Sequence, residues 1–351
     1  MKKTKKIKIG DIYIGGNERV AIQSMTTAYT ADVEKTVAQI NELAAHGCDI
    51  VRVAIPDEES ANAIYDIKNR ISVPLVADIH FDYRLAIKCM ERGADKIRIN
   101  PGNIGGEDRA CAVAKEAARR GIPIRIGVNG GSLEKEILEK HKEATPEAMV
   151  ESAEEHVKIL EKYGFYDTVI SIKSSDVRKT IEAYRLASEK FDYPLHIGVT
   201  EAGTYKSGVV KSAIGIGSLL ADGIGDTIRV SLTDNPVHEV ETAKTILKSL
   251  GLIPQGIEIV SCPTCARCRI DLISIAKRVT EALEGENLAI KVAVMGCVVN
   301  GPGEAKDADI GIAGGDGCAV LFKKGVVIGK IPENEIVETL LREIEKMKEK
   351  K

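Results

Sequence analysis

The feature that most constrains this chain is a repeat. A short run rich in Val and Ile is followed by an amphipathic helical stretch, and the cycle recurs eight times. Strands are expected at Val20–Met25, Ile50–Ile55, Leu75–His80, Lys96–Asn100, Ile124–Val128, Thr168–Lys173, Leu195–Thr200 and Thr227–Leu232. The helical stretches begin near Asp32, Glu58, Tyr83, Glu107, Pro146, Ser175, Lys206 and Pro236. Strict alternation implies a parallel sheet with right-handed crossovers. Eight units over roughly 230–250 residues have the size of a closed (β/α)8 TIM barrel. An open doubly wound sheet is the fallback, but no G-x-G-x-x-G follows the first strand to support it.

The repeat breaks near Gly251–Gly256, which reads as a linker. The expected organisation is a barrel domain over 1–250 and a smaller α+β domain over 257–351. The second domain reads as a strand at Ile257–Ser261, a helix over Asp271–Glu284 and a strand at Ala289–Met295. Two or three short strands in 309–330 and a charged helix, Glu333–Lys350, follow. Ahead of the repeat, Lys8–Gly16 reads as a hairpin, and the basic start MKKTKKIKIG as a solvated tail leading into it.

The barrel strands carry charge where a packed interior predicts apolar residues. Alternate residues of a strand point to opposite faces. Arg52 sits between Val51 and Val53, Arg98 between Ile97 and Ile99, Arg125 between Ile124 and Ile126, and Arg229 between Ile228 and Val230; Lys173 follows Ile172. The apolar set must face the helices, so these five cations face inward, near the mouth. Burying them uncompensated is prohibitively costly. Asp78 and Glu201 lie at matching strand ends, but two carboxylates do not balance five cations. The surplus predicts a multiply charged anion such as a diphosphate, which the planar guanidinium fork suits. A structural ion-pair lattice is the alternative. Asn100, Asn129 and Ser231 lie on the same strand faces and join the candidate anion site.

Single positions stay open. His80 is a proton donor or a core histidine. Glu201 is a general acid or base, or the partner of an arginine. Gly127–Ser132 offers backbone N–H groups that either cradle phosphate or form an ordinary loop. Lys173 clamps an anion or forms a Schiff base. Cys48, Cys89, Cys111 and Cys318 read as small apolar packing residues.

The second domain holds two cysteine runs, SCPTCARCRID (Ser261–Asp271) and MGCVVNGPGE (Met295–Glu304). Cys262 and Cys265 at C-x2-C, with Cys297 in a Gly/Pro-rich turn, select zinc or an iron–sulfur cluster. Either Cys268 or Glu304 completes the set. Net charge of −3 and a pI near 6.2 argue against nucleic acid as principal partner. No apolar run approaches the ~20 residues needed to span a bilayer, and the basic N-terminus lacks the apolar stretch of a signal peptide. A cytoplasmic protein with reduced thiols is expected.

SCPTC followed by GCVVNGPGEA resembles the signature of the 4-hydroxy-3-methylbut-2-enyl diphosphate synthase family. QSMTT, ADIHFD, RINPGNIG, RIGVNGGSLE and TEAG extend the likeness through most of the chain. The resemblance implies a 4Fe-4S cluster in a ferredoxin- or sulfite-reductase-like domain, held by Cys262, Cys265, Cys297 and Glu304. Cys268 is a cysteine the family signature does not require. It also implies reductive opening and dehydroxylation of 2-C-methyl-D-erythritol 2,4-cyclodiphosphate, with flavodoxin or ferredoxin as electron donor. The cations, with Asp78, Asn100, Asn129 and Ser231, would hold the substrate; Glu201, His80 and Glu304 would take part in the chemistry. A homodimer, with the cluster domain of one subunit over the barrel of the other, is implied too. The rivals are a non-redox barrel transferase or aldolase with structural zinc, and a cluster-based redox sensor.

Overall fold

The computed structural model describes residues 2–100, 103–254, 256–286, 288–298 and 305–348. The chain divides into two compact units, Met1–Ile253 and Pro254–Lys351.

The first unit is a parallel barrel. A hairpin of β1 (Ile7–Ile9) and β2 (Ile12–Ile14) precedes β3 (Ala21–Met25), β4 (Ile50–Ile55), β5 (Leu75–Ile79) and β6 (Lys96–Ile99). β7 (Ile124–Asn129), β8 (Thr168–Lys173), β9 (His196–Ile197) and β10 (Thr227–Ile228) complete it. The sheet runs β8-β7-β6-β5-β4-β3-β10-β9. Helices follow each strand, several opened by an Asp whose side chain accepts the N-terminal backbone N–H: Asp32 from Lys35, Asp57 from Ser60, Asp176 from Lys179. Outward residues such as Val51, Val53, Ile97, Ile99, Ile124 and Ile126 are fully buried under these helices.

The barrel floor is a separate apolar cluster. Ile7, Ile9 and Ile14 of the hairpin meet the inward-facing Ala21, Ile50, Val76 and Val169. The basic N-terminus is therefore no free tail: Lys2 N–H donates to Gly223 O, Lys5 N–H to Asp192 O, and Thr4 Oγ1 to Asp226 at 2.7 Å.

Two expected strands are shorter than their sequence suggests. The seventh and eighth, expected over Leu195–Thr200 and Thr227–Leu232, are regular only over β9 and β10. Gly198 and Arg229 account for this, since a Cβ on Gly198 would lie 2.5 Å from the Arg229 carbonyl oxygen. A further departure follows β7, where Gly130–Ser132 forms a 3-10 turn and an extra helix, Lys135–His141, intervenes before Pro146–Lys162.

The barrel closes between β8 and β9 through an isolated bridge, Ile170 to Leu195, with Ile170 N–H donating to Pro194 O. A side chain completes that seam. The fully buried Tyr184, on the helix Val177–Lys190, accepts from Ile172 N–H at 3.0 Å and donates to His196 O at 2.5 Å.

The second unit is a five-stranded sheet, β11 (Ile257–Ser261), β12 (Ile290–Met295), β13 (Ile310–Gly315), β14 (Cys318–Lys323) and β15 (Val326–Pro332) in sequence order. The first three strands are parallel and the last two pairings antiparallel. Helices Leu272–Ala282 and Ile336–Lys348 cover one face. Met295, Ala305 and Phe322 belong to a smaller cluster on the other.

Tyr184→Phe leaves one buried N–H and one buried C=O at the seam unpaired, at about 1–3 kcal/mol for each. The urea midpoint of barrel unfolding is expected to fall by the equivalent of about 2 kcal/mol or more; an unchanged midpoint would show that the hydroxyl is not the seam's fastening.

Candidate functional site

The inward faces of β4 to β10 bring the expected cations together. Arg52 Nε lies 3.5 Å from Asp78 Oδ2, and Arg98 Nη1 donates to Asp78 Oδ1 at 3.1 Å. Asp78 is almost fully buried. Burial pushes its carboxyl up, but Arg52, Arg98 and Arg125 outweigh burial and bring it down to about 2. Arg52 also donates to Met25 Sδ, at 3.1 Å from Nε and 2.9 Å from Nη2.

Arg125 is buried, and its Nε and Nη1 have no hydrogen-bond partner among the described residues. Burial, then Arg52 and Arg98, drive its proton affinity well below the usual range. Gly127, inward on the same strand, leaves room for a guanidinium: a Cβ there would lie 2.5 Å from Arg98 Nε. Lys173 is buried too, its Nζ 3.5 Å from His196 Nε2. Arg229 lies 3.4 Å from Glu239, through both Nε and Nη2.

Glu239 is a residue that sequence reasoning missed. It stands on the helix Pro236–Ser249, is almost fully buried, and also accepts from Ser24 Oγ at 2.9 Å and Leu232 N–H at 3.0 Å. It takes the arginine-pairing role considered for Glu201, which is instead exposed, with a left-handed backbone at φ 52 and no ion pair recorded among the described residues. Lys96 was missed as well. It shares the inward face with Arg98, has no exposed surface, and meets Gln23 Oε1 at 3.4 Å. Six cations and two carboxylates thus share this interior among the described residues. That is no balanced lattice.

The other expected residues surround this cluster. Asn100 is buried, and Asn129 and Ser231 are half-buried at strand ends. His80 is no core histidine: its side chain is 45% exposed, with Nε2 3.9 Å from Asp78 Oδ2. Lys173, Glu201, Thr200, Asn129, Gly130 and Gly131 are among the residues lining a cleft of ≈ 560 Å³. Cys48, Cys89 and Cys111 are buried as expected, but Cys318 is only half-buried, on β14 near the Gly317 turn.

In the second unit, Ser261 pairs with Val294, so Cys262 and Gly296–Cys297 leave the sheet at the same edge. Gly296 N–H donates to Cys262 Sγ at 3.2 Å, and Arg269 N–H to Gly296 O at 3.0 Å. A Cβ on Gly296 would lie 2.7 Å from Cys268 Sγ, so glycine is what lets the two runs pack. Cys265 is exposed, and the backbone N–H of Arg267 holds its thiol below the usual range. All described cysteines are free. Soft sulfur donors on two runs that meet at Gly296, one already accepting a backbone N–H, have the chemistry an iron–sulfur cluster needs. Glu304 lies outside the described residues, and no ready-made group of metal-ligating side chains occurs among those described.

Removing the charge of Asp78 strands two buried guanidinia. Asp78→Asn is expected to cost about 3–5 kcal/mol, read as a lower denaturation midpoint at neutral pH. Because the folded carboxyl is held down at about 2, its contribution is full above the ordinary carboxylate range near pH ~4 and is lost as pH falls toward 2. The gap between wild type and variant should narrow by about 2 kcal/mol over that window; a gap constant to pH ~2 would contradict the pairing.

Residues 4–244 match the family described as "GcpE TIM-barrel domain", and 258–346 the "GcpE protein C-terminal domain". A curated relative from Caldanaerobacter subterraneus subsp. tengcongensis is 62% identical over 99% of this chain and 98% of its own length. One from Bacillus subtilis is 59% identical over 98% of this chain and 91% of its own. Both are named 4-hydroxy-3-methylbut-2-en-1-yl diphosphate synthase (flavodoxin). A dihydropteroate synthase structure from Stenotrophomonas maltophilia covers 72% of this chain and all of its own at a TM-score of 0.52 and 15% identity, a likeness of fold alone. With both of its parts matched and relatives this similar along nearly its whole length, the chain belongs to the GcpE family.

Proposed function

We propose that this protein converts 2-C-methyl-D-erythritol 2,4-cyclodiphosphate into (E)-4-hydroxy-3-methylbut-2-enyl diphosphate, with release of a hydroxyl as water and uptake of two electrons. It is a reductase of isoprenoid biosynthesis. The observation that carries this reading is the excess of buried cations in the barrel, in a chain of this family. A cyclic diphosphate supplies the missing negative charge, and Arg125, with two donors left over, has hydrogen bonds to give it. Arg52, Arg98, Lys173 and Arg229 share the load, with Asn100, Asn129 and Ser231 at the rim. The non-redox transferase or aldolase alternative has no support, since the relatives carry flavodoxin in their names.

Cys262, Cys265 and Cys297, with Glu304 as fourth ligand, would hold a 4Fe-4S cluster, which when bound supplies single electrons and an exchangeable metal site. Flavodoxin is the electron donor we infer, with ferredoxin as the variant. Glu201, exposed at the cleft that Lys173 lines, and His80, beside Asp78, would move protons between substrate and solvent. We keep the cytoplasm and the homodimer as parts of this proposal. No helix among the described residues is long and apolar enough to cross a membrane.

Anaerobic purification should yield about four irons and four sulfides per chain, in both wild type and Cys268→Ser. Reduced flavodoxin should then drive turnover of the cyclodiphosphate. Zinc in a colourless protein would overturn the reading. Arg98→Ala should weaken substrate binding at least tenfold, as expected for a lost charged hydrogen bond, with iron content unchanged. Wild-type affinity in that variant would remove the clamp.

A further inference from the structure

The seam that closes the barrel holds a residue that the anion clamp does not explain. His196 begins β9, faces inward and has no exposed surface. Its Nδ1 lies 2.7 Å from Thr227 Oγ1 on the next strand, and its Nε2 lies 3.5 Å from Lys173 Nζ. Burial, then Arg125 and Lys173, hold the imidazole well below its usual proton affinity, so it is neutral. A neutral imidazole carries one N–H. The form of Lys173 that grips a phosphate is the ammonium, which has no lone pair, and a hydrogen on Nε2 would then point at its hydrogens. The tautomer assigned by electrostatics therefore has Nδ1–H donating to Thr227 and the Nε2 lone pair facing Lys173.

Lys173 needs such an acceptor. Burial disfavours its charge first, and Arg125, Arg52, Arg229 and Arg98 all add to that. Once an anion restores the ammonium, repulsion from the four guanidinia would otherwise swing the flexible side chain toward solvent. The surroundings are built for the contact. Tyr184 fixes the His196 backbone through its carbonyl.

We propose that His196 is a positioning residue for substrate binding, its Nε2 lone pair holding the Lys173 amine inside the cation cluster so that it meets the phosphate. The proposal rests on the cyclic-diphosphate reading given above. The distance of 3.5 Å is long for a hydrogen bond, and such contacts commonly tighten once the ligand is bound.

A double-mutant cycle separates this role from mere filling of the interior. The holoenzyme, His196→Asn, Lys173→Ala and the double variant are titrated calorimetrically with 2-C-methyl-D-erythritol 2,4-cyclodiphosphate. Asparagine keeps a polar atom near Thr227 but cannot reach Lys173. His196→Asn is expected to weaken binding roughly tenfold and to have little further effect in the Lys173→Ala background. His196→Gln, whose amide oxygen reaches the Nε2 position, should recover part of the loss. Additive losses, or wild-type affinity in His196→Asn, would overturn the proposal. A measurement without any substitution stands beside it. With inorganic pyrophosphate bound, the ring 15N shifts of His196 should report a protonated Nδ1 and a bare Nε2, and the opposite tautomer would sink the idea. Failure of the wild type to bind the cyclodiphosphate would instead overturn the functional reading, and the tautomer would still decide the role of His196 toward Lys173.

Discussion

The structure depends on a charge imbalance. Asp78 and Glu239 neutralise part of the barrel interior, each near an arginine within 3.5 Å. Arg125, Lys173 and Lys96 remain buried with little or nothing of opposite sign beside them. A folded chain tolerates this only if its remaining packing is secure or a ligand arrives to share the charge. The first condition is met by the fold's layout. The bottom of the barrel is sealed by Ile7, Ile9 and Ile14, an apolar floor that needs no ligand. The cations stand above it, with Lys173 at the C-terminal end of β8, the side where barrel enzymes place their chemistry.

Much of this was legible in the sequence because the barrel strands are short and regular. With a period of two, Ile97 and Ile99 outward force Lys96 and Arg98 inward. The same parity that singled out Arg98 also applies to Lys96, so the signal for Lys96 was present; it lies one layer deeper than the mouth. Glu239 could not be found that way. It reaches the cluster from a helix, and strand periodicity says nothing about which helix residue meets a strand end across the layer. The extra helix Lys135–His141 was hidden for a different reason. Its residues KEILEKH include only two apolar side chains, too few for a periodic signal.

Glycine explains where expected strands stop. At Gly198 the chain passes the Arg229 carbonyl too closely for any side chain, and regular pairing ends on both strands nearby. At Gly127 a Cβ would instead collide with the Arg98 guanidinium, and at Gly296, in the other unit, with Cys268 Sγ. In these two places glycine makes room for a long or reactive side chain from a neighbouring segment.

The seam between β8 and β9 joins these themes. A barrel with a weak closing ladder should be loosest there, yet this is where Lys173 must be held most exactly in place. Tyr184 resolves the conflict from outside by satisfying one N–H of β8 and one C=O of β9 with a single hydroxyl. From inside, His196 spans the same gap between Lys173 and Thr227. Two side chains therefore substitute for the missing ladder, one fastening backbone and one fastening charge. A regular strand pair would close the barrel equally well, but it would fix the two strands at ladder spacing and leave no room for an imidazole edge to face an amine. The irregular seam thus goes together with the side chains that span it, Tyr184 outside and His196 beside Lys173 inside.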